Sequence, residues 1–257
     1  MWASDASPRQ MASDVAALED SSYATWTADE SDVVAGWHVA ATSGLSRRVN
    51  SARDVGGAIV NDGARGALEA WFAARDLPLV VRETPIMRPN TGQAVRELWG
   101  FDAIDETPVM VGRVAQGATG DVRVVSSDAD DFQAELYALN GRTDGDTVTL
   151  HRICSRVVDR GAGFWLPGEG AAVVVQDGHR CAVFSLAVAD GHRRRGIATR
   201  LMAAASNWAM ERDVSEMFVQ VAGTNNPAIE LYRSLGFEEV YRYRYLVSPA
   251  RVNIGGS

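Results

Sequence analysis

The sequence predicts a mixed α/β fold built as two related halves, and three observations support this prediction. Strand-like apolar runs alternate with segments of helical periodicity along the 257 residues. The pair Trp71 and Arg75 recurs as Trp208 and Arg212, each at the end of a helix-like segment that an apolar strand follows. The turn 193–199 joins an apolar strand directly to an amphipathic helix. A mixed sheet covered by helices accommodates all three features.

The composition is that of a soluble globular protein. The net charge of −8 argues against general nucleic-acid binding. No apolar run reaches ~18 residues, and the first residues have neither a basic start nor an apolar core, so neither a membrane span nor a signal peptide is expected. Cys154 and Cys181 are too few for a disulfide framework or a metal site. We therefore expect a cytoplasmic protein without a metal.

The first half begins with a helical pattern over residues 11–24. Leu68, Trp71 and Phe72 lie on one face of a second expected helix. The further elements expected in this half are strands over 36–42, 45–52, 79–82 and 108–114, a helix over 64–75, and a short helix over 93–98. The small, glycine-bearing segment 115–120 is interpreted as a linker, which gives domains 1–114 and 121–250.

The second half restarts with a strand and a helix that Gly141 ends. Residues 141–149 are polar and predict a loop, whereas 151–159 are ambiguous between helix and strand. The remaining expected elements are strands over 122–126, 164–166, 171–176, 180–188, 216–221, 237–240 and 243–247, and helices over 128–140, 197–212 and 227–235.

The turn 193–199 has the features of an anion site. The eight residues from Cys181 to Val188 carry no charge and predict a buried strand, and apolar residues recur at helical spacing from Ile197 onward. The first N–H groups of a helix lack internal partners, and the helix dipole adds partial positive charge there. Gly196 and Ala198 are small, so a phosphate group can approach the backbone closely.

A second segment, residues 225–237, makes the interpretation of the turn more specific. Asn226 is expected to cap a short helix whose first position is Pro227, and Gly236 is expected to end it. Tyr232 then points inward with its apolar neighbours, and its hydroxyl needs a partner. The apolar residues expected on that face are Ala228, Leu231 and Leu235.

The order strand, Arg-x-x-Gly-x-Ala turn, helix, strand, Asn, short helix with Tyr and Gly-Phe resembles the GNAT superfamily of coenzyme A-dependent N-acetyltransferases. The resemblance covers residues 121–247, and the two halves are similar to tandem GNAT proteins whose N-terminal copy is degenerate. It implies a GNAT fold and a catalytic domain over 121–250 that transfers an acetyl group from acetyl-CoA to a primary amine by direct attack. It also implies a monomer or homodimer with neither nucleic acid nor membrane as a partner.

The resemblance implies a role for each matched residue. The backbone at Leu186, Ala187 and Val188 would bind the pantetheine arm, and Asn226 would bond to the same arm. Tyr232 would protonate the departing thiolate, a transfer that reference pKa values of ~10 and ~8.5 make about 2 kcal/mol uphill before any shift in the protein. The pyrophosphate would be held by the turn residues Arg193, Arg194, Arg195, Gly196, Ile197, Ala198 and Thr199.

Several points stay open at the level of sequence. No general base is assigned, and four carboxylates are candidates by proximity in sequence alone: Glu169, Asp177, Asp190 and Glu216. A non-catalytic acyl-CoA-binding or interaction module is the alternative function, and a longer acyl group is an alternative donor. In the first half the turn Arg53-x-x-Gly56-x-Ala58 echoes the anion site, but Asp54 is expected to repel phosphate. Arg96 or Val95 stands where the second half has Tyr232.

Overall fold

A computed structural model of the protein describes residues 8–43, 46–141 and 144–249. The chain divides into two compact units. Unit 1 comprises Met1–Glu19, Thr27–Pro108 and Tyr241–Ser257, and unit 2 comprises Asp20–Trp26 and Val109–Val240. None of the described helices is long and apolar enough to cross a membrane.

Strands and helices alternate through most of the described chain. In chain order the elements are α1 (Pro8–Thr25), β1 (Glu30–Val34), β2 (Trp37–Ala41), β3 (Ser51–Asp54), α2 (Asp62–Ala73), β4 (Val80–Glu83), α3 (Thr91–Trp99), β5 (Asp102–Arg113), β6 (Arg123–Val125), α4 (Asp130–Leu139), α5 (Asp144–Ser155), β7 (Gly161–Leu166), β8 (Gly170–Asp177), β9 (Arg180–Val188), α6 (Ile197–Met210), β10 (Glu216–Gln220), α7 (Asn226–Ser234) and β11 (Glu238–Val247).

In unit 1 a mixed sheet packs against α2 and α3. The strands β1, β2 and β3 form an antiparallel meander, β3 pairs with β4 in parallel, and β4 pairs with β11 antiparallel. The helix α2 begins at the cap Asn61, whose side chain accepts the N–H of Ala64. Its face with Leu68 and Phe72 is fully buried in the unit 1 core, together with Trp37.

Unit 2, like unit 1, has one parallel strand pair within an otherwise antiparallel arrangement of its described strands. The parallel pair is β9 and β10, which β5 extends antiparallel on one side. On the other side β8, β7 and β6 follow as an antiparallel meander. The helix α6 buries Leu201 and Ala205 against this sheet, where Gly170 allows close approach because a Cβ there would lie 2.9 Å from Ile197 Cγ2. Each unit therefore contains a parallel strand pair joined by a turn and a helix, as the repeat in the sequence predicts.

Three element predictions were wrong. Residues 144–149 form the first half of α5 and are not a loop. The helix is stabilised by Leu150, Ile153 and Cys154, which are buried at helical spacing. The Gly, Asp and Thr residues before them have low helix propensity, and for that reason the sequence predicted a loop. The two strands expected over 237–247 are one strand, β11, because buried tyrosines alternate with outward arginines. The strand expected over 45–52 starts at Ser51, after a 3₁₀ turn over Arg47–Val49, and Leu45 lies outside the described residues.

The segment 115–120, interpreted from the sequence as a linker, is fixed along α6 within unit 2. The Ser206 hydroxyl accepts the Ala115 N–H at 2.7 Å and donates to the Ala115 carbonyl at 2.8 Å. The Asn207 amide makes the same pair of bonds to Gly117, both at 3.0 Å. Although its composition is typical of a linker, this segment is therefore an ordered connection.

Candidate functional site

The parallel strands β9 and β10 separate part of the way along their length. Their register runs from Arg180 opposite Glu216 to Val183 opposite Val219 and ends there. The strand β9 nevertheless continues to Val188. The β9 edge beyond Val183 therefore has backbone groups that β10 does not pair, and an extended ligand can add to such an edge as a further strand.

A β-bulge lies at the start of this open edge. On the β8 side, Phe184 pairs with Val173 and Ala187 pairs with Ala171, so Ser185 and Leu186 together oppose a single residue. Ser185 has φ +53°, in the left-handed region. The Asn140 side chain, which follows α4, donates to the Ser185 carbonyl at 3.3 Å. Neither a bulge nor this long-range contact has a local sequence signal, so neither was predicted from the sequence.

The turn before α6 has the geometry of an anion site. Gly196 caps the helix with φ +76° and provides no side-chain acceptor, so the first helical N–H groups lack an internal partner. A Cβ built on Gly196 would meet nothing within 4 Å, which leaves the space above the turn open. Arg194 also has a positive φ, +62°. Two residues in left-handed conformation turn successive N–H groups toward one side, an arrangement that binds anions.

The charges around this turn are favourable for an anion. Arg193 contacts Asp190 at 2.7 Å, and both side chains are exposed. Arg194 and Arg195 are exposed and form no ion pair with the described part of the chain. Arg200, on the first turn of α6, is instead engaged by Asp121 at 2.8 Å and Glu169 at 3.1 Å. Two guanidinium groups at the turn are thus available to a ligand.

The structure corrects the cap of α7. Asn225, and not Asn226, is the N-cap: its Oδ1 accepts the N–H of Ala228 at 3.2 Å. Either asparagine suits a cap by residue type, so the sequence could not separate them. Asn226 is exposed, and its side chain makes no hydrogen bond to any described residue. It is therefore free to bond to a ligand.

Tyr232 lies on the inward face of α7. It is buried with Ile229, and its ring lies 5.6 Å from that of Phe237. The same apolar cluster includes Ile197 of α6, and Leu186 and Val188 of β9 pack against it. The helix after the turn, the open β9 edge and Tyr232 therefore all contribute to the core of unit 2. Burial raises the pKa of the Tyr232 hydroxyl above its ordinary value, so the phenol stays protonated at neutral pH.

None of the four candidate bases is an unpaired carboxylate beside the bulge. Glu216 contacts Arg180 at 3.1 Å at the start of β9, and five residues of strand, about 17 Å at ~3.3 Å per residue, separate Arg180 from Ser185. Asp177 lies opposite Arg180 in the β8–β9 register, at the end of β9 away from the bulge, and its carboxylate accepts a hydrogen bond from the Ser21 hydroxyl at 2.7 Å. At the other end of β9, Glu169 contacts Arg200 and Asp190 contacts Arg193.

The cysteines are poorly suited to act as nucleophiles. Cys154 and Cys181 are buried free thiols. Burial raises the pKa of each to about 12, so both are protonated at neutral pH. Across the described residues, no group of three or more His, Cys, Asp or Glu side chains is arranged to hold a metal ion.

Several characterised proteins are similar to part of this sequence. Streptothricin acetyltransferase from Streptomyces lavendulae is 36% identical over 111 residues, 42% of this chain and 59% of that protein. An N-alpha-acetyltransferase from Sulfurisphaera tokodaii is 40% identical over 73 residues, 28% of this chain and 42% of that protein. The chain thus spans about half the length of these curated relatives.

Solved structures confirm the predicted fold class and tandem layout. A GCN5-related N-acetyltransferase from Kribbella flavida covers 96% of this chain and 96% of its own, with a TM-score of 0.64 at 16% identity. A tandem GNAT protein from the clavulanic acid biosynthesis pathway covers 80% of this chain and 76% of its own, with a TM-score of 0.56 at 16% identity. The family described as "Probable histone acetyltransferase Rv0428c C-terminal" matches residues 12–246. The chain therefore belongs to that family, within the GNAT superfamily.

Proposed function

We propose that the protein transfers an acetyl group from acetyl-CoA to a primary amine, and that unit 2 performs the reaction. One observation carries this proposal: the open edge of β9 lies in the same apolar cluster as Ile197, beside the anion turn, and Tyr232. A ligand with an anionic end, an extended amide-containing arm and a reactive thioester end offers one group to each of these three features. Acetyl-CoA has that chemistry.

Acetyl-CoA would bind to the anion turn, the open β9 edge and Tyr232. The turn from Arg193 to Thr199 would hold the pyrophosphate through backbone N–H groups and the two unpaired guanidinium groups. The backbone of Leu186, Ala187 and Val188 would pair with the amides of the pantetheine arm, and the exposed Asn226 amide would bond to the same arm. The bulge at Ser185 would place the Leu186 backbone beside the thioester.

The reaction is a direct attack in a ternary complex. The neutral amine nitrogen forms a bond to the thioester carbonyl carbon, and the C–S bond breaks as the tetrahedral intermediate collapses. The nitrogen gives up its proton to solvent or a base, and Tyr232 donates its proton to the leaving thiolate and regains one from solvent. The two buried, protonated cysteines favour this path over a covalent acyl-enzyme.

Tyr232 carries a proton that it can donate, but its raised pKa makes the transfer to the thiolate unfavourable in the ligand-free protein. Reference pKa values leave a mismatch of about 2 kcal/mol between the phenol and the thiol. Burial shifts the pKa of Tyr232 upward, which widens the mismatch in the ligand-free protein. The proton is therefore transferred only as negative charge develops on sulfur, and Tyr232 does not lose it prematurely at alkaline pH.

The acceptor must be neutral before it attacks. For an amine with a pKa near ~10.4, neutralisation at pH 7 costs roughly 4 to 5 kcal/mol. The carboxylates of Glu169, Asp190 and Glu216 are in ion pairs and that of Asp177 is bonded to Ser21, so we assign none of them as the base. We propose that water carries the proton away, so activity rises with pH through the amine's own titration. The relatives named as N-acetyltransferases support nitrogen as the acceptor atom.

The test is a thiol-release assay with acetyl-CoA and a panel of amines, with products identified by mass spectrometry. Acetylated amine formed in a one-to-one ratio with free coenzyme A supports the proposal. The engagement of all four candidate carboxylates by other described residues favours one alternative, a non-catalytic acyl-CoA-binding module. Tight acetyl-CoA binding without turnover across primary amines, secondary amines and peptide N-termini would establish that alternative. A longer acyl donor is tested in the same assay with acyl-CoA thioesters of increasing chain length.

A further inference from the structure

Gly112, the last residue but one of β5, lies in direct contact with the ring of Phe237. A Cβ built on Gly112 would lie 2.6 Å from Cδ2 of that ring and 2.8 Å from Cγ and Cε2. Carbon atoms in contact are normally ~3.5–4.0 Å apart, so only a glycine leaves the ring its present place. Met110, two residues earlier and therefore on the same face of β5, belongs to the same apolar cluster as Phe237.

Phe237 is in turn joined to Tyr232 by its backbone and by its ring. The Phe237 N–H donates to the Tyr232 carbonyl at 2.9 Å, and the Gly236 N–H donates to the Arg233 carbonyl at 3.0 Å. With Gly236 at φ +82°, this pair of bonds is a Schellman motif that ends α7. The two rings lie 5.6 Å apart within the same motif. A displacement of the Phe237 ring is therefore passed on to Tyr232.

The strand that carries Gly112 cannot easily yield instead of the ring. Gly112 is buried and lies opposite Met217 in the antiparallel register of β5 and β10. From the sequence, Gly112 was assigned to a first domain over residues 1–114, apart from the catalytic half. The structure instead includes it in unit 2, which contains Val109–Val240. A residue from outside the expected catalytic domain thus supports the side chain expected to donate the proton.

We propose that Gly112 is a positioning residue for Tyr232: it leaves room for the Phe237 ring, and that ring holds the phenol where it can reach the leaving thiolate. The inference rests on the proposed function, because it requires Tyr232 to be the proton donor. A Cβ at position 112 would displace the ring by about 1 Å before normal contact distances are restored. A displacement of ~1 Å in a reacting group can lower the rate by ~10²-fold.

Gly163 in β7 provides a matched control within unit 2. A Cβ built on Gly163 would lie 2.6 Å from Cε1 and 2.7 Å from Cζ of Phe132, so Gly163→Ala produces the same kind of clash between a methyl group and a phenylalanine ring. Phe132 packs against Trp165, outside the apolar cluster of described residues that contains Tyr232. The two substitutions therefore resemble each other in packing and differ in their connection to Tyr232.

The experiment compares steady-state acetylation of an amine by the wild type, Gly112→Ala and Gly163→Ala, with acetyl-CoA binding measured by calorimetry. Both variants should have a lower melting temperature than the wild type, because each overpacks a buried ring. We expect Gly112→Ala to lower kcat by ~10²-fold and to leave the acetyl-CoA dissociation constant within ~3-fold of the wild type. Gly163→Ala should keep kcat within ~3-fold of the wild type.

Two second-site backgrounds separate positioning from a general loss of structure. In Tyr232→Phe the phenol is absent, so adding Gly112→Ala should lower kcat by no more than ~3-fold. In Phe237→Leu the smaller side chain leaves space for the new methyl group. The loss of kcat caused by Gly112→Ala should therefore shrink from ~10²-fold to ~10-fold or less in that background.

The positioning role is wrong if Gly112→Ala lowers kcat no more than Gly163→Ala does, or lowers it equally with and without the Tyr232 hydroxyl. If Gly112→Ala does not fold, Phe237→Leu alone is the test, because it loosens the same ring contact. It should then lower kcat by about 10-fold in the presence of Tyr232 and by less than ~3-fold in Tyr232→Phe, and equal losses would overturn the proposal. A wild type without turnover, or a Tyr232→Phe variant with wild-type kcat, would instead refute the proposed function or its general acid, and the positioning role with it.

Discussion

Substitution of Gly196 separates the backbone requirement of the anion turn from its charge requirement. Gly196 has φ +76°, and a Cβ there would meet nothing within 4 Å. Gly196→Ala therefore causes no clash, and its cost to stability is that of a left-handed alanine, about 1 kcal/mol. For a protein of this size that corresponds to a fall in melting temperature of roughly 2–4 °C.

The effect on coenzyme A binding is predicted to be larger for Gly196→Asp. A carboxylate about 5 Å from one phosphate charge, at an effective dielectric constant of about 20, costs about 3 kcal/mol. That energy corresponds to a loss of affinity of roughly 100-fold or more. Gly196→Ala lacks the charge and should weaken binding only through its methyl group, by about 10-fold or less.

Gly100 provides the matched control. It has φ +67°, and a Cβ on it would also meet nothing within 4 Å, so Gly100→Ala carries the same backbone strain. It follows α3 in unit 1 and is not one of the residues of the proposed donor site. Calorimetric titration with coenzyme A should give wild-type affinity for Gly100→Ala despite a similar loss of stability. Equal affinities of the wild type and a folded Gly196→Asp variant would refute the assignment of this turn.

The remaining predictions concern Tyr232 and the buried charges of unit 1. Tyr232→Phe should lower kcat by about 10²- to 10⁴-fold with little change in acetyl-CoA affinity, and full retention of kcat would exclude a general-acid role. Arg82 contacts Glu19 at 2.6 Å, and both side chains are almost fully buried. Arg82→Met should therefore lower the free energy of unfolding, measured by chemical denaturation, by about 3–5 kcal/mol. The control Arg47→Ala, at an exposed ion pair, should lower it by less than ~1 kcal/mol. Asp54 has a lowered pKa in the folded state, so its ionised form stabilises the fold above about pH 4 and that contribution is lost as the pH falls through the folded-state pKa. The stability difference between wild type and Asp54→Asn should therefore be largest near neutral pH and shrink in acid, and a pH-independent difference would contradict the ionised assignment.

Where the sequence signal was local, the predicted elements around the candidate site agree with the structure. Gly196 and the apolar face after it specify a strand, a turn and a helix within a few residues, and Pro227 and Gly236 mark the ends of α7. The cap itself was assigned to Asn226 instead of Asn225, because both residue types accept the same N–H bond. The fold class followed from the alternating elements and from the recurrence of Trp71 and Arg75 as Trp208 and Arg212, and the structure adds that each unit contains a parallel strand pair.

Features that depend on register or long-range contact had no such signal. The bulge at Ser185 is defined by how β9 pairs with β8, and the Asn140 side chain reaches it from α4. The sequence predicted that Asp54 would repel phosphate, but it could not show that the turn binds this carboxylate from within. The helix α5 was missed because its buried residues follow a polar segment of low helix propensity.

The central claim is that unit 2 transfers an acetyl group from acetyl-CoA to an amine through the Arg193–Thr199 turn and Tyr232. The most direct test is acetyl-CoA turnover with an amine panel, measured as thiol release and product mass, for the wild type and Gly196→Asp side by side. We predict one acetylated amine per thiol released by the wild type, and turnover by Gly196→Asp that is roughly 100-fold lower or more at acetyl-CoA concentrations below saturation. Equal turnover by both proteins, or acetyl-CoA binding by the wild type without any acetylated product, would contradict the claim.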